Sequence, residues 1–147
     1  MGLRNRKSLL EERLFFVTTT CKDWIPIFTE EIYFDIIYAS FDFYNKKYNA
    51  SLVGYVIMPN HIHFIIYFTE ENKLSVYIRD FKKYTAGEIR RLKDFEKENE
   101  LINNLRHERR EQKFKIWQDR FDDVYLFNRN TLITKLNYIH NNIVKKS

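Results

Sequence analysis

The run Tyr55–Phe68, YVIMPNHIHFIIYF, constrains the fold more than any other stretch: it is the most apolar segment of the chain and is broken by one polar knot, Pro59-Asn60-His61-Ile62-His63. Proline cannot donate to a central sheet ladder and marks an edge, a bulge or a turn. The run therefore divides into two antiparallel strands, one from Leu52 to Met58 and one from His61 to Phe68, joined by a tight Pro59-Asn60 corner. Side chains alternate across a strand, so His61 and His63 share a face with Ile65, while Ile62, Phe64 and Ile66 take the other. Two imidazoles then stand roughly 6.5–7 Å apart along the strand, pointing the same way. Such a pair suits a metal held by two nitrogens with its other positions open. The plainer alternative is a buried strand whose histidines hydrogen-bond to their neighbours, although a place beside a turn is more accessible than mid-strand.

The remaining segments supply partners for these strands. Leu14–Thr20, LFFVTTT, is rich in aromatic and β-branched residues and reads as a first strand. Pro26 falls in the connection, Thr29 followed by Glu30 and Glu31 predicts a helix cap, and Ile32 to Tyr44 has helical spacing. A second helix opens at Leu74, its apolar stripe running through Ile78, Phe81, Ile89 and Leu92. Ile116–Phe121 opens a last strand that continues through Val124 to Phe127, Asn128–Thr131 forms a turn and cap, and a final helix runs from Leu132 to Lys145. The order strand, helix, strand, strand, helix, strand, helix predicts an α+β, ferredoxin-like architecture: an antiparallel four-stranded sheet with helices on one face, plus a C-terminal helix. At 147 residues one domain is expected, with a polar arm over residues 1–12 and a charged insertion or loop over residues 95–115.

Charge and composition narrow the partners. There are 25 Lys and Arg against 20 Asp and Glu, and aromatic residues make up 17%; cationic charge with stacking surface is what single-stranded nucleic acid asks of a protein. A single cysteine, Cys21, excludes a disulfide framework or a cysteine-built zinc site within one chain. No signal-peptide core or membrane-spanning run is legible, so a soluble, cytoplasmic protein without a membrane partner is expected.

The final helix offers the second half of a site. At about 100° per residue, Leu136, Ile139 and Ile143 fall within about 40° of Leu132 and form a buried stripe. Tyr138 and Asn142 lie one turn apart on its flank, with Lys135 beside them. Residues four apart on a helix have Cβ atoms about 5–6 Å apart, so the two can reach one target together; alternatively, the tyrosine covers the rim of the core.

His61-Ile62-His63 after Met58-Pro59-Asn60, with the late Tyr138-Ile139-His140-Asn141-Asn142, resembles the signature of the HUH single-tyrosine transposases, among them the REP-associated and IS200-like enzymes. Phe16-Val17-Thr18, Asp80-Phe81-Lys82-Lys83 and Trp117-Gln118 agree with it, and the similarity runs from about residue 13 to residue 144. The resemblance implies a metal-dependent endonuclease and strand-transfer enzyme acting on single-stranded or hairpin DNA through a 5′-phosphotyrosine, with a ferredoxin-like core and monomeric or homodimeric members. Carried over, His61, His63 and Asn142 bind the divalent metal and Tyr138 is the nucleophile; Lys82, Lys83 and Arg120, with Lys135 beside the tyrosine, are candidate DNA contacts. Several members carry a proline after the asparagine, where this chain has Ile143. The alternatives are a domesticated or truncated relative that binds structured single strands without cutting, and a non-catalytic ferredoxin-like interaction module.

The residue types suit the chemistry in their own right. A divalent cation neutralises phosphate oxygens and polarises phosphorus. Two imidazoles make Mn²⁺ a rival to the oxygen-preferring Mg²⁺. Tyrosine, with an ordinary pKa near 10, needs a nearby cation to ionise at neutral pH, and a metal or Lys135 can supply one.

Overall fold

The computed structural model describes residues 13–96, 115–126 and 128–146. The arm expected over residues 1–12 lies outside them, as does residues 97–114 of the charged insertion expected over 95–115. The elements are β1 (Leu14–Thr20), a short helical turn (Lys22–Trp24), α1 (Glu31–Lys47), β2 (Ala50–Met58), β3 (His61–Phe68), α2 (Leu74–Glu96), β4 (Asp122–Tyr125) and α3 (Arg129–Lys146). All strand pairs are antiparallel and the sheet order is β2-β3-β1-β4.

The Pro59-Asn60 corner divides β2 from β3 as the proline requires, and Met58 pairs with His61 directly across it. Alternation along β3 then sends side chains into two cores. Ile62, Phe64 and Ile66 join Val17, Ile37, Phe41, Ile78 and Phe81 beneath α1 and α2. Ile65 joins Phe16, Val56, Met58, Leu126 and Ile139 on the opposite face, beneath α3. Each fully buried aliphatic or phenyl group contributes roughly 1.5–3 kcal/mol, so both faces hold their helices mainly by apolar burial. On the α1–α2 side Tyr48 donates to the Asp80 carboxylate, which also pairs with Arg79 and Lys47 and is held below its usual pKa chiefly by the tyrosine hydrogen bond. That brace ties the end of α1 to α2.

Local expectations differ from the structure in three places, one of them the last helix, which begins at Arg129, inside the turn expected over Asn128–Thr131, and not at Leu132. The cap position falls to Glu30, whose side chain makes no capping bond, and not to Thr29. The preceding connection is docked by Ile27 and Phe28, both buried, and the Phe28 N–H donates to the Pro59 carbonyl at 2.9 Å, which fixes where the helix can begin. The last strand is Asp122–Tyr125 alone. Ile116 and Trp117 are buried in the core, Trp117 Nε1 donates to Thr85 Oγ1 at 2.9 Å, and among the described residues an isolated bridge to Cys21, just past the end of β1, takes the place of a strand pairing. Apolar residues spent on a tertiary contact read as a strand in sequence. Among the described residues no helix is long and apolar enough to cross a membrane.

Candidate active site

The site forms where the start of β3 meets α3. Register sets its floor: His63 lies between Val56 of β2 and Thr18 of β1, and His61 between Met58 and Thr20. The two imidazole rings converge to 4.7 Å between centroids at 76°, close enough to share one small ion. Phe16, two residues before Thr18 and therefore on the same face of β1, stacks on the His63 ring at 5.4 Å and 20°.

Hydrogen bonds orient both rings. Thr18 Oγ1 lies 2.8 Å from His63 Nδ1, leaving Nε2 to point away from the strand pair. Asn60 Nδ2 donates to the Trp24 carbonyl at 3.3 Å, so its Oδ1 is the atom facing His61 Nδ1 at 2.7 Å. An amide oxygen only accepts, so the His61 Nδ1–H is the donor in this contact. His63 is buried, and its pKa is pushed down to about 4, first by burial and then by the nearby charges of His61 and Lys135. A neutral imidazole with one nitrogen held by a neighbouring side chain, as His63 is held by Thr18, is the form in which histidine binds metals.

The tyrosine arrives on α3. Asn128 Oδ1 accepts from the Thr131 N–H at 2.8 Å and from its hydroxyl at 3.0 Å, an N-cap that fixes where the helix begins. Leu132, Leu136 and the buried Ile139 pack on the sheet. Gly54 of β2 lets them approach: a Cβ built there would stand 3.2 Å from Leu136 Cδ2. Seated in this way, Tyr138 is half exposed, its ring centroid 5.1 Å from that of His63 and 6.0 Å from that of Phe16, and its hydroxyl 3.5 Å from His63 Nε2. Lys135 places its ammonium 4.7 Å from the Phe16 ring centroid and 6.0 Å from that of Tyr138.

The structure thus brings His61, His63, Tyr138 and Lys135 together. Asn142 lies half-buried on α3, one turn beyond Tyr138. No group of three His, Cys, Asp or Glu side chains gathers among the described residues, so a metal here would need a ligand such as the Asn142 amide beside the two histidines. Thr18 was not singled out as a site residue by the sequence. Its signal lay in the strand pairing, which sets it opposite His63.

Residues 14–142 match the family model described as "Transposase IS200 like". The chain belongs to the IS200-like transposase family. Among solved structures this IS200-like chain is similar to a REP-associated tyrosine transposase bound to a REP hairpin, at 19% identity, covering 97% of this chain and 73% of that one with a TM-score of 0.66. It is also similar to a protein assigned as a transposase from Deinococcus radiodurans R1, at 14% identity over 87% of this chain and 88% of that one, with a TM-score of 0.57. At these identities the likeness is one of fold. Comparison with curated proteins gave no match.

The IS200-like chain carries its other candidate cations between α2 and the segment 115–121. A cleft of about 370 Å³ is lined by Arg79, Lys82, Lys83, Arg90 and Lys115, with Asp119 the acidic residue on its wall among the described residues. Lys82 is committed to structure: its ammonium donates to the carbonyls of Gln118 at 2.8 Å and Arg120 at 3.1 Å, and burial pushes its pKa down to about 8. Lys83 and the Arg120 side chain are exposed.

Proposed function

We propose that this IS200-like transposase is an HUH-type single-strand DNA endonuclease and strand-transfer enzyme with a ferredoxin-like core, cutting at hairpin-associated sites with Tyr138 as nucleophile. The observation that carries the reading is the 3.5 Å approach of the Tyr138 hydroxyl to His63 Nε2, beside a second imidazole. The hairpin held by the REP-associated structure supports the substrate class.

In this reading His61 and His63, through their Nε2 atoms, and the Asn142 amide hold a divalent cation, Mn²⁺ or Mg²⁺. Such a cation, when bound, neutralises phosphate charge, aligns the leaving oxygen and favours the ionised phenol. The phenol gives its proton to water, the Tyr138 oxygen attacks phosphorus, a P–Oη bond forms, the bond from phosphorus to the 3′ oxygen breaks, and that oxygen takes a proton from water as a free 3′-hydroxyl. The 5′-phosphotyrosine keeps the bond energy, and attack by another 3′-hydroxyl reverses the step and joins a new strand. Thr18 and Asn60 hold the imidazoles, and Lys135 faces the phosphate as it charges. Lys83 and Arg120 guide the DNA backbone, an interaction that salt weakens. The test is nicking of a labelled single-stranded hairpin oligonucleotide in Mn²⁺ or Mg²⁺, with EDTA as the control: cleavage blocked by EDTA supports the reading, and hairpin binding with no cleavage in either metal contradicts it.

A further inference from the structure

Trp24 stands at the rim of the histidine pair with 58% of its surface in solvent. Asp23 and Trp24 have positive φ, 55° and 59°, a left-handed conformation that a bulky side chain adopts rarely. The turn is fastened on several sides: the Trp24 N–H donates to the Cys21 carbonyl at 3.0 Å, the Ile25 N–H to the Lys22 carbonyl at 3.2 Å, and the Lys22 N–H to the Ile116 carbonyl at 2.8 Å. Asn60 completes the clamp, donating to the Trp24 carbonyl from Nδ2 while accepting from His61 through Oδ1. One side chain therefore fixes both the turn that displays the indole and the orientation of a histidine. The indole centroid lies 6.1 Å from the His61 ring, edge to face at 69°.

Strained backbone persists only where its surroundings over-determine it, and it concentrates at ligand clamps. Here the strain holds a large aromatic ring out of the core and beside the candidate active site. We propose that Trp24 is a stacking platform for a nucleobase of the single strand, next to the phosphodiester presented to Tyr138. This rests on the single-strand nuclease reading and adds to it a contact that positions the strand. Because every base has a π-face, stacking on indole tolerates any base; Trp24 would set where the strand lies and leave the choice of sequence to other groups.

The chain has two tryptophans, and the other, Trp117, is buried, so Trp24 is the one whose emission a bound strand can reach directly. The experiment is run in EDTA, using a hairpin oligonucleotide with and without a single-stranded flank, and follows tryptophan emission together with the anisotropy of a label on the DNA. The flanked hairpin is expected to quench wild-type emission, and Trp24→Phe to lose most of the quench while binding nearly as well, since phenyl still stacks. Trp24→Ala is expected to weaken binding of the flanked hairpin about tenfold, from the usual strength of base–aromatic stacking, with the unflanked hairpin unaffected. Unchanged emission on binding, with Trp24→Ala binding the flanked hairpin as tightly as wild type, overturns the inference alone. No binding of either oligonucleotide by the wild type overturns the nuclease reading and this inference with it.

Discussion

The Tyr138 hydroxyl lies 3.5 Å from His63 Nε2, although 75 residues of sequence separate them. The approach depends on a strand pair that aims the imidazole and on a helix seat that aims the phenol, and each can be changed separately.

Thr18 aims the imidazole through its 2.8 Å contact with His63 Nδ1. Thr18→Val keeps the shape and leaves a buried ring nitrogen without a partner, which costs about 1–3 kcal/mol. Urea unfolding should show that loss, and nicking should fall further than hairpin binding. Thr18→Ser, which restores the hydroxyl, should recover most of both.

Gly54 seats the helix. A methyl at this position is tight against the flexible tip of Leu136, at 3.2 Å, and in ordinary contact with Ile139 Cδ1 at 3.9 Å, so Gly54→Ala should change stability by less than about 1 kcal/mol. Gly54→Val has no such relief, and overpacking of this kind costs about 1–3 kcal/mol. Its signature should be displacement of α3: hairpin binding largely retained, cleavage lost.

Burial holds the pKa of His63 at about 4, below the ordinary 6.5. Between these values the unfolded chain binds a proton that the folded chain refuses, so this residue makes stability fall as pH drops from 6.5 towards 4 and then level off. Above pH 6.5 the contribution is constant. Urea midpoints at pH 7, 5.5 and 4.5 should follow that course, and His63→Gln should flatten it.

Lys82 and Lys83 are neighbours in sequence with different work. Lys82 holds the Gln118 and Arg120 carbonyls, so Lys82→Ala should lower stability by about 1–3 kcal/mol, the cost of losing hydrogen bonds from a charged group. Lys83 is exposed, so Lys83→Ala should leave stability within about 0.5 kcal/mol. If Lys83 contacts one phosphate, that variant should also reduce the salt slope of single-strand binding by about 0.7.

Local patterns carried much of this architecture. β1 and β3 run over the residues their sequences marked, Leu14–Thr20 and His61–Phe68, because alternation and a proline corner are local signals. The Asn128 cap was legible for the same reason, although the helix it opens begins at Arg129 and not at Leu132. Misread features depend on distant partners. Ile116 and Trp117 look like a strand, yet Trp117 is held by Thr85 on α2. Lys82 reads as a free cation until the fold returns the Gln118–Arg120 backbone to it. Trp24 carried no pattern at all; its display depends on two left-handed residues and on the side chain of Asn60. For the site, one-turn spacing put Tyr138 and Asn142 on one flank, but the approach of Tyr138 to His63 needed the Gly54 seat.

The most direct test of the central claim is a denaturing gel of the protein incubated in Mn²⁺ with a hairpin oligonucleotide labelled at either end. A 3′ label should migrate with the protein and a 5′ label with a shortened free strand, as a 5′-phosphotyrosine requires, and Tyr138→Phe should abolish the adduct while binding the hairpin as well as wild type. An adduct of undiminished yield in Tyr138→Phe would contradict the account.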